Sequence, residues 1–309
     1  MIGKHKMDKP IVLSIITAVY NRVDMVGFAI ESVMNQWQGG IEHIIIDGGS
    51  TDGTREVIKQ YPHLRVFSEP DRGIYDAWNK GIKQARGEWL CFLNSDDCIE
   101  SGSLAMVINQ LVDPNDIAIF NARVVKKVDE GDITEIKRYQ AKKIGNYLEN
   151  ILSGGPAINS WIIRKSVFLD IGDFNTSYKI ASDIDFCVRA SLSSKNIYAV
   201  NQDYYNYQFH PGSATFNDEL SSKYECQIEN LQVARDVLNR LEKNHKDYEH
   251  IQNWLLDTSK HLVRNSLILK KHWQTALEYI KIGNQYDRLF IPKSIQSYLK
   301  NVVSKKPQC

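Results

Sequence analysis

The sequence predicts an α/β fold: a mostly parallel sheet with helices on both faces, followed by a C-terminal helical extension. Three observations predict it. Short β-branched runs alternate with segments of helical periodicity through residues 11–120. Turn-forming and acidic residues stand directly after those runs, at Tyr20-Asn21, Asp47 and Asp96-Asp97. From about Glu219 onward the pattern is helical, with no internal repeat and no low-complexity linker.

Residues 11–18 form a continuous apolar run, as in a strand buried on both faces. Lys4, Lys6 and Lys9 ahead of it imitate a signal peptide, but Ser14 and Thr17 interrupt the run and no small-x-small cleavage site follows. Val26, Ile30, Val33 and Trp37 recur at helical spacing. Residues 42–46 are a second strand ending at Asp47, and Thr51 or Asp52 is placed to cap the next helix. Residues 64–67 are a short third strand. Residues 74–85 read as a helix with Gly87 as its C-cap. A fourth strand over 89–93 runs into Asn94-Ser95-Asp96-Asp97, and a helix (104–111) and strand (117–120) follow. Residues 124–139 alternate and are charged, which predicts an exposed hairpin. Gly154-Gly155-Pro156 is a loop, residues 183–191 are helical with Ser182 as cap, and 197–200 and 204–209 are strands. A soft boundary falls near residue 215.

Composition limits the function classes. Lys and Arg number 38 against 37 Asp and Glu, a net charge of +1, which excludes a globally basic nucleic-acid binder. The balance hides an asymmetry: residues 260–309 carry ten Lys/Arg and two Asp/Glu. No run approaches the ~18 apolar residues of a membrane span. The five cysteines are scattered with no C-x-x-C pair, which argues against a disulfide framework or a thiolate zinc site and suits a reducing cytoplasm.

In an open α/β sheet, ligands sit beyond the carboxyl ends of the strands. Here that edge carries a row of carboxylates and an aromatic ring. Adjacent aspartates raise each other's pKa, and a hard cation relieves this, so Asp96-Asp97 reads as half of a metal–diphosphate site for Mg2+ or Mn2+. Taken alone, the pair reads as well as a solvated turn. Other phosphate-binding patterns fail. There is no P-loop, and Gly48-Gly49-Ser50-Thr51-Asp52-Gly53 lacks G-x-G-x-x-G spacing.

Five segments in order carry a resemblance. They are Thr17-Ala18-Val19-Tyr20-Asn21; Ile46-Asp47-Gly48-Gly49-Ser50-Thr51-Asp52-Gly53-Thr54; Glu69-Pro70-Asp71-Arg72-Gly73-Ile74-Tyr75-Asp76-Ala77-Trp78-Asn79-Lys80-Gly81; Phe92-Leu93-Asn94-Ser95-Asp96-Asp97; and Gly172-Asp173-Phe174-Asn175 with Ala181-Ser182-Asp183-Ile184-Asp185-Phe186. Together they resemble glycosyltransferase family 2, over about residues 11–215. The resemblance implies a GT-A (Rossmann-like) fold, a nucleotide-sugar donor (UDP by family habit), an inverting mechanism and a divalent cation. It divides the chain into a catalytic domain, 1–215, and a helical region, 216–309. Within the first, 1–120 would bind nucleotide and 121–215 acceptor.

The resemblance also implies roles. Thr17, Tyr20 and Asn21 open the donor site, with Tyr20 packing on the nucleobase and Asp47 accepting from a pyrimidine N–H. Arg72, Asp76 and Asn79 reach the donor sugar or diphosphate. Asp97 binds the metal directly; Asp96 binds the metal, ribose or donor sugar. The N-x-D-D sequence is a variant of the family's DXD motif. Asp183 is the base, with Asp185 as the second choice, and Ser182 stands where the family often has Glu. His210, before Pro211-Gly212-Ser213, is a candidate metal ligand. Asn159 sits where relatives often carry His, and no role is assigned to it.

The expected activity is hexosyl transfer from a UDP-sugar to a hydroxyl of a glycan or a polyprenyl-diphosphate-linked saccharide, forming a β-glycoside in surface-polysaccharide synthesis. Two other classes stay in view: a sugar-nucleotide nucleotidyltransferase, which wants a basic Gly-rich loop after the first strand, and a non-catalytic sugar-nucleotide-binding subunit. Ile291, Ile295, Tyr298, Leu299 and Val302 fall at helical spacing among lysines. That stripe suits peripheral contact with the inner face of the cytoplasmic membrane, or packing on the protein itself.

Overall fold

The computed structural model describes residues 10–111, 114–127, 133–141, 147–155, 157–210, 220–268, 273–288 and 290. The chain divides into two compact units, Met1–Ser213 and Ala214–Cys309.

The first unit is built on one nine-stranded sheet. Its strands are β1 (Leu13–Val19), β2 (Ile41–Asp47), β3 (Arg65–Ser68), β4 (Trp89–Phe92), β5 (Cys98–Ile99), β6 (Ile117–Lys127), β7 (Ile133–Tyr139), β8 (Trp161–Arg164) and β9 (Ile197–Gln208). The helices are α1 (Val26–Met34), α2 (Thr54–Ile58), α3 (Ile74–Gln84), α4 (Ser103–Gln110), α5 (Tyr147–Leu152), α6 (Lys165–Ile171) and α7 (Ser182–Leu192). The strand order is β3-β2-β1-β4-β8-β6-β9-β5, with β7 paired to β6.

The expected α/β sheet is present, but its parallel character belongs to one half. β3, β2, β1 and β4 are mutually parallel. Beyond β4 the sheet is mixed: β8 runs antiparallel to β4 and β6, and only β6 and β9 pair in parallel. The reason is visible in the connections. Helical crossovers join β1 to β4, whereas β6 leads into a hairpin with β7.

Every residue of β1 and β2 is buried, as mainly apolar strands in a sheet covered on both faces require, and their polar members, among them Ser14, Thr17, Glu42, His43 and Asp47, are buried with them. The edge strand β3 alternates instead. On one face, Trp78 of α3, Phe92 of β4, Phe168 of α6 and Phe186 of α7 close around Phe174, with ring centroids 5.0–5.9 Å from it. Phe174 therefore ties the parallel half to α6 and α7. On β2, His43 is fully buried and its Nε2 lies 2.9 Å from Thr17 Oγ1. Burial, then the charge of His63, lowers its pKa to about 3, so it is neutral in the fold.

Three local expectations change. Gly87 does not cap α3, which ends at Ala85 in an extended conformation. A Cβ at Gly87 would lie 2.6 Å from the Ser14 backbone nitrogen, so the glycine serves close approach to β1. Ser182 is itself the first helical residue of α7, and its buried hydroxyl has no partner among the described residues. The two strands expected at 197–209 are one, β9, whose pairing with β6 shifts register around Asn121. The expected hairpin over 124–139 is the β6–β7 pair.

The second unit has three described helices, α8 (Leu220–Arg240), α9 (Tyr248–Ile268) and α10 (Trp273–Tyr286). Leu231, Val233 and Ala234 of α8 and Ile251, Leu255 and Leu262 of α9 are buried. The Tyr224 hydroxyl joins α8 to α9 through Ser266 (2.9 Å) and to α10 through Tyr279 (3.3 Å). Among the described residues no helix is long and apolar enough to cross a membrane. The lysine-flanked stripe from Ile291 to Val302 lies outside the described residues.

Candidate active site

The parallel half brings its carboxyl ends into register. Val19 pairs with Asp47, and Asp47 with Ser68. Asp47 is fully buried, and its Oδ1 accepts the Ser50 N–H at 3.0 Å. Its Oδ2 accepts the Ser68 hydroxyl at 2.5 Å and lies 3.9 Å from Arg55 Nε. The Gly48–Asp52 turn wraps around it. A Cβ at Gly48 would come within 2.5 Å of Asp71 Oδ2, so the Asp71 side chain packs close over the start of that turn. Asp52 bonds the Thr54 N–H at 2.9 Å, as expected of a residue opening α2, and also accepts from the Val23 N–H at 3.1 Å.

Asn21 follows β1 with φ +51°, the only described non-glycine residue in the left-handed region. It is held there by the same turn: its N–H donates to Ser50 Oγ (2.9 Å) and its Oδ1 accepts from Thr51 N–H (2.9 Å). The strained residue thereby leaves Tyr20 projecting, 58% exposed, at the strand end. Thr17 does not join them. It is fully buried within the sheet against His43, so it is a core residue and not a donor contact.

The helix that follows β3 is less available than expected. Asp76 accepts from the Arg72 N–H (3.2 Å) and guanidinium (3.1 Å) and lies 3.7 Å from Lys80. These cationic neighbours, working against partial desolvation, hold its pKa below the usual carboxylate range. Arg72 itself is largely exposed. Asn79 uses both ends of its amide on Phe174, donating to its carbonyl (2.9 Å) and accepting from its N–H (3.0 Å). It therefore anchors the Gly172–Phe174 turn rather than facing a ligand.

After β4 the two adjacent aspartates diverge. Asp97 is 4% exposed and takes three donors: the Gln208 N–H (2.9 Å), the Tyr205 hydroxyl (2.8 Å) and the Asn94 amide (2.9 Å). Burial, then the charge of Asp96, pushes its pKa up to about 7 against those donors. Asp97, expected to bind metal directly, is instead enclosed, with both oxygens bonded to protein donors. Asp96 is the accessible carboxylate, with His210 Nε2 3.2 Å from its Oδ2. The structure thus brings His210 to the motif across 114 residues of chain.

Asp183 sits in the first turn of α7 and accepts the Tyr75 hydroxyl (3.1 Å) and the Ile184 N–H (2.8 Å) on Oδ1. The same Tyr75 oxygen lies 2.6 Å from the Ile180 carbonyl. Asp185, the second choice for a base, is buried and paired with Arg189 at 2.9 Å. Arg189 also donates to the carbonyls of Ile171 (2.5 Å) and Asp173 (2.9 Å), so this ion pair fastens α7 to the turn after α6. Asp185 is structural.

Sequence reasoning missed Tyr205 and Tyr207. They are spaced two apart in β9 and share a face, with ring centroids 4.7 Å apart. Tyr207 donates to Asn159 Oδ1 at 3.3 Å. Burial, then the charges of Asp97 and Asp183, raises its phenol well above the usual value. The Tyr204-Tyr205-Asn206-Tyr207 alternation was the available sign of this pair.

Comparisons with known proteins identify the family and the fold. The model of glycosyl transferase family 2 matches residues 14–172, just over half of the 309-residue chain. A Bacillus subtilis (strain 168) protein named as the glycosyltransferase EpsH is 26% identical over 288 residues, covering 87% of this chain and 79% of its own. A Haemophilus influenzae glycosyltransferase is 31% identical over 186 residues, 57% of this chain and 61% of that one. Among solved structures, Staphylococcus aureus TarS residues 1–349 in complex with UDP-GlcNAc superimpose with a TM-score of 0.66 at 20% identity, covering 93% of this chain and 89% of that one. The chain spans about half (54%) of the longer TarS chain. A mannosyltransferase from Pyrobaculum calidifontis, in complex with GDP-Man and Mn2+, gives 0.58 at 16% identity, over 95% and 88%. At these identities the likeness is one of fold, the GT-A glycosyltransferase fold. The chain belongs to glycosyl transferase family 2.

Proposed function

We propose that the protein is an inverting, metal-dependent hexosyltransferase. It moves a sugar from a nucleotide-sugar, by preference a UDP-sugar, to a hydroxyl of a glycan or lipid-linked saccharide in surface-polysaccharide synthesis. Residues 1–215 are its catalytic domain, working in the cytoplasm or at the inner face of the membrane. The observation that carries the reading is the division of carboxylates: Asp47 at the end of β2, Asp96 with His210 beyond β4, and Asp183 in the first turn of α7 beside the Tyr75 hydroxyl of α3. The UDP-GlcNAc complex of TarS and the family membership support a nucleotide-sugar donor.

Asp47 is oriented by Ser50 and Ser68 to accept a nucleobase N–H, with Tyr20 supplying the ring that packs on the base. Among the described residues no group of three or more His, Cys, Asp or Glu side chains is arranged to hold a metal. The residues that would hold a divalent cation are the accessible Asp96 carboxylate and His210, a small set that suits a hard cation carried in with a diphosphate. A cation held there supplies Lewis-acid stabilisation of the departing diphosphate. Asp183 takes the proton of the acceptor hydroxyl as that oxygen attacks the anomeric carbon from the face opposite the diphosphate. One bond forms as the other breaks, so an α-linked donor yields a β-glycoside without a covalent enzyme intermediate. Tyr75, 3.1 Å from Asp183 Oδ1, helps orient the base.

The test is transfer, or slow hydrolysis, from a panel of nucleotide-sugars with and without Mn2+. Asp183→Asn is expected to lower kcat by roughly 10²–10⁴-fold while leaving UDP binding intact. Full activity in that variant removes Asp183 as the base.

A further inference from the structure

Behind the accessible Asp96–His210 pair lies an ordered chain of neutral polar side chains with no role so far. It begins at Tyr207, whose hydroxyl donates to Asn159 Oδ1 at 3.3 Å. The Asn159 amide nitrogen donates to Asn94 Oδ1 (3.3 Å) and to the Phe92 carbonyl (3.3 Å). The Asn94 amide nitrogen donates to Asp97 Oδ2 (2.9 Å), which also receives the Tyr205 hydroxyl. Apart from the branch to the Phe92 carbonyl, every bond runs donor to acceptor toward Asp97, so the members polarise one another in the same sense. The series joins three separate elements: the loop after β4, the short 3-10 turn Ile158–Ser160, and β9.

Asp97 is the point where this chain meets the site. Its backbone is continuous with Asp96. Its Oδ1 holds the N–H of Gln208, two residues before His210. Whatever sets Asp97 therefore sets both groups offered to a cation and its diphosphate. Asn159 and Tyr207 are buried, so their influence runs through the hydrogen bonds they make.

We infer that Tyr207 and Asn159 are positioning residues of the donor–diphosphate site, acting through Asn94 and Asp97 on Asp96 and His210. The inference rests on the glycosyltransferase reading above. An asparagine suits position 94 because its amide carries both an acceptor for Asn159 and a donor for Asp97; an aspartate there would offer Asp97 only a second negative charge.

The experiment uses the full chain and two variants, Tyr207→Phe and Asn159→Ala. UDP binding is measured by calorimetry in the presence of Mn2+, alongside donor KM, kcat and the thermal midpoint. The expected result is a roughly tenfold rise in the UDP–Mn2+ Kd and in donor KM, with a much smaller change in kcat at saturating donor and Mn2+. A purely structural role moves the thermal midpoint and the folded fraction but leaves the Kd of the folded protein unchanged. That outcome, or a fall in kcat alone, overturns the inference. Tyr207→Phe removes a single oxygen and keeps the ring against Tyr205, so it carries the test if Asn159→Ala does not fold. A wild-type protein that binds no nucleotide or nucleotide-sugar overturns the glycosyltransferase reading and this inference with it; equal binding by wild type and variants overturns the inference alone.

Discussion

The two halves of the first unit hold their carboxylates by different means. In the parallel half, Asp47 is oriented by a turn three residues on and by the neighbouring strand end, so its partners follow from local sequence and strand register. In the mixed half, Asp97 depends on Tyr205 and Gln208, 108 and 111 residues away in the chain. The first kind of site is written into a motif; the second exists only once β9 has docked. The difference extends to charge. The parallel half buries a histidine kept neutral, while the mixed half buries a carboxylic acid whose ionisation is opposed.

The largest effect that would break this contrast is at the seam. Phe174 packs against aromatic rings from both halves, and Phe174→Ala is expected to cost about 3–5 kcal/mol in chemical denaturation. A loss limited to one half's spectroscopic probe would mean the halves unfold independently.

Opposite pH dependences should sharpen the contrast. His43 has a folded pKa of about 3 against an ordinary 6.5. The unfolded chain binds the extra proton between those values, so this stabilisation is full above pH 6.5 and is lost as pH falls toward 3, by up to about 1.4 kcal/mol per pH unit. Asp97 runs the other way. Its folded pKa of about 7 exceeds the ordinary 3.8, so its contribution is full below pH 3.8 and is lost as pH rises through 7. His43→Gln should flatten the acid limb of a stability–pH curve, and Asp97→Asn the limb approaching neutrality. Either variant with a wild-type slope removes that residue from the account.

The smallest effect concerns an exposed ring of the parallel half, Tyr20. Tyr20→Ala should weaken UDP binding by about 0.5–1.5 kcal/mol, roughly three- to tenfold, with little change in the thermal midpoint. A large drop in stability would make Tyr20 a packing residue.

Much of this was legible beforehand. The runs that form β1 and β2 are mainly apolar and β-branched because both faces are covered, and Asp47, Tyr20 and Asn21 stand at strand ends that the α/β rule marks. Thr17 misled because a buried hydroxyl beside a buried histidine looks, in sequence, like any threonine near a motif. Asn79 misled for a related reason: a polar residue on a helix exposes no sign that its amide will clamp the distant Phe174 backbone. Gly87 read as a helix cap, yet its requirement is the Ser14 backbone of another strand.

Sequence by itself determined the periodicities, the strand-end positions and the types of residue offered at the cleft, because these depend on neighbours within a few residues. Tertiary structure alone decided which of two adjacent aspartates is buried, which of Asp183 and Asp185 is spent on an arginine, and that His210 faces Asp96. The physical reason is that desolvation and hydrogen-bond partners fix a carboxylate's role, and those partners come from strands and helices far away in the chain.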